Sequence, residues 1–187
     1  EKEIVNQVPF ADHGAMLDPP TADVSGRVLW LLSQIGFKKD HSRVKKVISF
    51  LKGKQESDGS WWGRWGVNYI YGSWLALTGL ASIGEDMSQP YVRRAMKWFE
   101  DHQNEDGGWG ETCESYKTPS LAGNGNSTAS QTSWAVMAMV AGGEQKNLNV
   151  KRGIEFLLNR QKLHGSWYED EFTGTGFPIH FFIKYHM

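Results

Sequence analysis

Only one cysteine, Cys113, occurs in 187 residues. An internal disulfide is therefore excluded, and so is a zinc knuckle built on several Cys ligands of this chain. The compartment is reducing or left open. An excess of charge is missing too, since 20 basic residues face 21 acidic ones for a formal net charge of -1. No global field recruits nucleic acid or an anionic lipid surface, and a small or neutral partner is the default. No apolar run approaches the roughly 20 residues that cross a bilayer, and no charged-then-apolar leader opens the sequence, so no spanning segment is expected. The length suits one domain. What the chain does have is rings and glycine: aromatics make up 13% of it, beside 21 Gly. Rings add buried area while glycine breaks elements, which predicts many short elements lined with aromatic side chains.

Three stretches repeat one pattern: Val47–Trp61 (VISFLKGKQESDGSW), Ala95–Trp109 (AMKWFEDHQNEDGGW) and Gly153–Trp167 (GIEFLLNRQKLHGSW). Each is an amphipathic run that ends in Gln (Gln55, Gln103, Gln161), followed by a spacer and a Gly-Ser-Trp or Gly-Gly-Trp turn (Trp61, Trp109, Trp167). A Gln at a helix end can bond the backbone of the next turn, and a Trp can stack there while its N–H finds a carbonyl. These repeated residues are expected to staple rather than to catalyse. Between the units lie segments of apolar and small residues: SGRVLWLLSQIGF after Pro19 and Pro20, YIYGSWLALTGLASIG, and STASQTSWAVMAMVAGG, whose Thr128 to Gln131 forms a capping-box pattern. Apolar helices thus alternate with amphipathic ones at about 42–55, 90–103 and 149–161. The expectation is all-α: three helical hairpins without strands, apolar members inside, amphipathic members outside, and the Gly-Trp loops at the turn after each outer helix.

These residues carry a resemblance. The repeat resembles the QW motif of triterpene cyclases, and GSWWGRWGVNYIYGSW, NEDGGWGE, STASQTSWA and YEDEFTGTGFP look like successive landmarks of bacterial squalene-hopene cyclases. The likeness runs over essentially the whole chain. It implies part of an (α/α)6 barrel, one domain over 1–187 cut at both ends, with an apolar cavity. It also implies a proton-initiated cyclisation of a linear isoprenoid, without metal or other cofactor. The family's acid, Asp-x-Asp-Asp, belongs upstream of the matched region, and no such string occurs here. The isolated chain is therefore expected to lack activity, and to self-associate because three hairpins leave inner apolar helices uncovered. The family's members sit on one leaflet at the cytoplasmic face of the cell membrane, so peripheral membrane contact is implied for the longer protein.

Protonating an alkene needs a strong acid sheltered from water, and the carbocations that follow need electron-rich surroundings that do not react. By the resemblance, Asp23 and Arg64 neighbour the acid motif and Tyr71 approaches it, so these three are the acid-supporting candidates. Spacing alone is equally met by an ordinary ion pair between helix ends. Phe10, Trp65, Phe177, Phe181 and Tyr185 match ring positions around the substrate. Phe177, Phe181 and Tyr185 recur every four residues and would share a helix face if the segment after Pro178 were helical, a stripe that a packed core would also produce. Two departures concern the substrate: Arg27 stands where hopene-forming members carry His, and His13 where they carry Phe. An arginine cannot relay a proton. Squalene is the first expectation, and tetraprenyl-β-curcumene, as in the sporulenol synthase branch, the alternative. Three further alternatives are a zinc prenyltransferase β-subunit, for which Cys113 lacks evident Asp and His company; a non-catalytic helical-hairpin interaction module; and a glycosidase barrel, for which the acids of NEDGGWGE and EDEF lie at turns where solvated carboxylates are ordinary.

Overall fold

The computed structural model describes residues 19–177 and 180–184, Phe177 by its backbone. Six α-helices follow one another: α1 (Ala22–Gln34), α2 (Ser42–Gly53), α3 (Tyr69–Ser82), α4 (Pro90–Asp101), α5 (Ala129–Ala141) and α6 (Leu148–Arg160). The alternation expected from the sequence holds. Helix α3 is buried on nearly every side, from Tyr69 to Leu80, whereas α2 buries only Val44, Ile48 and Leu51, and α6 only Val150, Gly153 and Phe156. The inner helices α1, α3 and α5 pack in sequence against one another, with α2 beside α1 and α6 beside α5.

Close approach of α1 and α3 depends on glycine. A Cβ on Gly26 would lie 2.3 Å from the Leu75 carbonyl oxygen, and one on Gly79 would lie 2.4 Å from that of Gly26. The two backbones therefore touch where any side chain would separate them. Each inner helix ends alike: Gly36, Gly84 and Gly143 have positive φ, and the next amide donates back to Leu32, Leu80 and Met139 respectively. Pro90 opens α4 at its first turn, where a missing N–H costs no helical bond.

The repeated Gln and Trp are staples, as expected. Trp61 Nε1 donates to Leu51 O at 2.7 Å, Trp109 Nε1 to Phe99 O at 2.8 Å and Trp167 Nε1 to Leu157 O at 2.7 Å. Gln55 Nε2 donates to Gly59 O in its own turn and to Tyr91 O at the start of α4; Gln103 Nε2 does the same to Gly107 O and Asn149 O. Gln55 and Gln103 therefore tie their turns to the next outer helix, whereas Gln161 Nε2 bonds only Gly165 O of its own turn among the described residues. The Thr128 box is half formed: its hydroxyl accepts from Gln131 N and donates to Gln131 Oε1, but the Thr128 amide donates to Trp109 O instead of to the Gln131 side chain, whose Nε2 reaches Val67 O and Glu111 O.

The expectation of no strands is wrong. Gly174–Phe177 and Phe181–Ile183, here β1 and β2, pair antiparallel, with Phe177 opposite Phe181. The helical stripe imagined for Phe177 and Phe181 does not exist. The physical reason is tertiary: the loop after Trp61 offers unpaired backbone groups, and the segment meets them with Val67 N to Thr173 O at 3.0 Å and Thr175 N to Trp65 O at 3.3 Å. A helix would have left these groups, the amide of fully buried Val67 above all, unsatisfied.

Candidate active site

The loop Gly63–Gly66 is the centre of the site, and four elements hold it. From α1, the Asp23 carboxylate, 1% exposed, accepts through Oδ2 from Arg64 N at 3.0 Å and Trp65 N at 3.1 Å. From the turn before α5, the Tyr116 hydroxyl lies 2.8 Å from Gly66 O and 3.0 Å from Gly63 O, which its single proton serves in turn. Asn68 Oδ1 accepts from Gly63 N. Strand β1 completes the frame through an isolated bridge between Gly66 and Gly174. Burial, the nearby carboxylate of Glu111 and then that of Asp23 push the Tyr116 phenol far above its ordinary range, so it remains a donor.

Tyr71, in the first turn of α3, lies under this loop. A Cβ on Gly66 would meet its ring at 2.4 Å, and one on Gly63 would meet it at 3.0 Å. Its hydroxyl accepts from the Arg27 guanidinium of α1. Its ring belongs to a cluster: centroids lie 5.0 Å from Trp134 and 5.7 Å from Trp74, and Trp74 and Trp134 stack at 5.8 Å with planes 4° apart. A hollow of about 500 Å³ adjoins the cluster between α1 and α3, walled by Trp30, Leu31, Trp74 and Leu75, with Arg27 and Thr78 as its polar members.

Of the sequence candidates, Asp23, Arg64, Trp65 and Tyr71 therefore converge on one loop. Asp23 grips the Arg64 and Trp65 backbone, a bond that spacing could not distinguish from a side-chain ion pair. The Arg64 guanidinium lies 5.1 Å from the Trp65 ring centroid, and Trp65 itself is 38% exposed. Phe181 is 56% exposed, on β2. Phe10 and Tyr185, like His13, lie outside the described residues, as does the side chain of Phe177.

The acids thought to be solvated at turns are not all so. Glu111 is buried and accepts from Asn68 N, Tyr69 N and Ile70 N at 3.0–3.1 Å, closing the amino end of α3. Burial pushes its carboxyl above the ordinary range, opposed by these three amides and by Ser115. Glu169 closes the amino end of α5, accepting from Ser130 N and from Ser130 Oγ. The signal missed was positional: Glu111 and Glu169 each stand two residues after a repeat Trp. A turn can lie at the surface and still aim an acid at a buried helix end, where four amides lack partners. Gln131 extends the network by accepting from Glu111 N at 3.0 Å. Cys113 is half-buried and its thiol bonds Phe172 O at 3.3 Å; burial pushes it up to about 11, so it stays protonated. Among the described residues no three metal-ligating side chains cluster.

Paired helices, stapled by Gln and Trp and with rings stacked between the inner ones, define the class of fold: the α/α-toroid type. A type II terpene cyclase from Scytonema, MstE, superposes with a TM-score of 0.62 at 22% identity, over 96% of this chain and 48% of that one. The ent-copalyl diphosphate synthase of Streptomyces platensis gives 0.61 at 20% identity, over 79% of this chain and 28% of that one. Sequence narrows the class further. The model of the squalene-hopene cyclase C-terminal domain matches residues 1–187. The squalene-hopene cyclase of Zymomonas mobilis is 45% identical over 97% of this chain, and that of Alicyclobacillus acidocaldarius 44% over 99%. The chain belongs to the squalene-hopene cyclase family. It spans 28% of the length of the first of these relatives and 29% of the second.

Proposed function

We propose that this chain is the carboxyl-terminal part of a cyclase that folds a linear polyprenyl substrate, squalene first, and closes its rings by protonation followed by a carbocation cascade. The single observation that carries the reading is the clasp of Asp23 on the Arg64–Trp65 loop above the Tyr71, Trp74 and Trp134 cluster. The proton donor itself belongs to an Asp-rich segment outside this chain.

Asp23 spends one oxygen on the loop amides. Its other oxygen, Oδ1, is buried and has no hydrogen-bond partner among the described residues. A buried acceptor of this kind is costly unless met by a donor, and a protonated carboxyl of the acid segment would supply one. Asp23 thereby holds the acid in its protonated orientation, while Arg64 sets the charge around it. After proton transfer to a terminal alkene, the positive carbon is held by ring faces, each worth about 0.5–2 kcal/mol. Trp65 and Phe181 are the described candidates for this role; Phe10, Phe177 and Tyr185 complete the set by resemblance.

Arg27 favours a second reading for the substrate. It donates to Tyr71 as a fixed cation where hopene-forming members carry His, which suits tetraprenyl-β-curcumene as the alternative. The test replaces the matching region of the Zymomonas mobilis enzyme by this chain and offers both substrates, with Arg27→His as comparison. Cyclised product from either, lost in Asp23→Ala, is expected; an active graft indifferent to Asp23 would overturn the proposal. The 187-residue chain alone should give no product. Contact with one membrane leaflet at the cytoplasmic face is part of the same proposal, and the graft should co-float with liposomes. A non-catalytic interaction module remains the reading if the graft folds and neither substrate reacts.

A further inference from the structure

Gln131 of α5 is fully buried, and its side chain is turned away from the box that its place in the sequence suggests. Oε1 accepts from Glu111 N and from Thr128 Oγ1, each at 3.0 Å, while Nε2 donates to Glu111 O and to Val67 O, each at 3.0 Å. The amide thus spends both of its hydrogens and both of its lone pairs. Glu111 is paired through its backbone N–H and C=O together, as a residue is across an antiparallel ladder.

The helical repeat does not ask for a glutamine here. Gln131 precedes Gly143 by the interval that separates Gly72 from Gly84, so Gly72 holds the same place on α3. There the turn rests on bare helix, since a Cβ on Gly72 would lie 2.3 Å from Trp61 O. On α5 the place carries a side chain that reaches Val67, 64 residues earlier in the chain. An apolar residue would fill a buried site at lower cost, because a buried amide is unfavourable unless its bonds are made. Val67 is the joint between the loop Gly63–Gly66 and α3, and it too is fully buried. Its N–H donates to Thr173 O, and its carbonyl accepts from Gln131. Asp23 grips the loop at Arg64 and Trp65, and Gln131 grips the chain two residues farther on.

We propose that Gln131 is a positioning residue of the site. It is not a catalytic residue, since its side-chain bonds go to backbone groups and to Thr128. Through Val67 it fixes the far end of the loop that carries Arg64 and Trp65. Through Glu111, whose carboxylate closes the amino end of α3, it fixes the turn that carries Tyr71. Without Nε2 the Val67 carbonyl loses its donor, and the loop is free to swing about the Asp23 clasp. The effect of Gln131 on turnover rests on the cyclase reading, whereas its hold on the loop does not.

Gln131→Glu separates the two halves of the amide. A carboxylate keeps an oxygen for Glu111 N and Thr128 Oγ1 but brings no donor, so Val67 O and Glu111 O then face an acceptor. Gln131→Met, of similar volume and without an amide, is the second variant. Gln103→Ala is the control, because it removes an outer staple that does not touch the loop. Amide hydrogen exchange on the 187-residue chain should show Arg64, Trp65 and Val67 losing about tenfold or more in protection relative to Trp61, whose amide is seated on Ser73. Both Gln131 variants should show this, and Gln103→Ala should not. In the Zymomonas mobilis graft both should lower kcat by about tenfold or more and leave KM within about threefold, because protonation needs one geometry while the substrate is held along its whole length. Gln103→Ala should move neither. Unchanged relative protection at the three amides overturns the proposal, whatever the graft does. Lost protection with kcat unmoved in an active graft overturns it too, and so does a loss of kcat that Gln103→Ala matches. A graft inactive even without substitution counts against the cyclase reading, and the exchange result then decides whether Gln131 holds the loop. If Gln131→Glu does not fold, Gln131→Met carries the same outcomes.

Discussion

Replacing Asp23 by Ala removes the carboxylate that grips the loop Gly63–Gly66, leaving Arg64 N and Trp65 N without the partner they have at 3.0 and 3.1 Å. A buried donor left unmet costs about 1–3 kcal/mol, so two would cost about 2–6 kcal/mol. Two effects reduce this. Trp65 is partly exposed, so the loop can relax towards water once Asp23 is gone, and removing Asp23 also removes the cost of burying a carboxylate. The net expectation is a loss of about 2–3 kcal/mol. Asp23→Asn keeps an oxygen able to accept from both amides and should cost about half as much. Urea unfolding followed by circular dichroism at neutral pH gives both numbers. Amide hydrogen exchange gives the site: Arg64 and Trp65 should lose protection in Asp23→Ala and keep most of it in Asp23→Asn. If protection at these two amides is unchanged in Asp23→Ala, the clasp does not hold the loop and the account of the site is wrong.

Gly66→Ala should break the site without touching an ion. Its Cβ would overlap the Tyr71 ring, so the ring must turn and release Arg27; a destabilisation of about 1–3 kcal/mol is expected, and a crystal structure of the variant with Tyr71 unmoved would contradict it. Gln103→Ala should cost about 2–3 kcal/mol and Gln161→Ala under about 1 in the monomer, because the first loses bonds to two carbonyls and Arg152 and the second one exposed bond; equal losses on urea unfolding would argue against the staple account. Glu111 gives a pH dependence. Its raised folded value means the native state holds the proton more tightly than the unfolded chain, so its contribution is full at low pH and is lost as pH rises from the ordinary carboxylate range through that value. Urea titrations between about pH 4 and 8 should therefore show the unsubstituted chain losing ground to Glu111→Gln as pH rises, and a difference that grows the other way would reverse the sign assigned here.

The sequence by itself determined whatever is settled over short distances. Gln103 reaches Gly107 O four residues on, and Trp109 Nε1 reaches Phe99 O ten residues back, so the repeat that encodes these staples is visible in one line of letters. Helix order was equally legible, because the apolar period of α3 and the one-sided pattern of α4 state which is inside. Tertiary structure decided the rest. Phe177, Phe181 and Tyr185 are spaced for one helix face, but the free amide of Val67 and the carbonyl of Trp65 drew the backbone of Gly174–Phe177 and Phe181–Ile183 into paired strands. Glu111 looks like a surface acid until the end of α3, more than forty residues earlier in the chain, is placed over it. Asp23 and Arg64 could have met as side chains, and instead the carboxylate took the backbone. In each case the deciding partner is an unsatisfied backbone group far away in sequence, and no local pattern records where such a group will lie once the helices have packed.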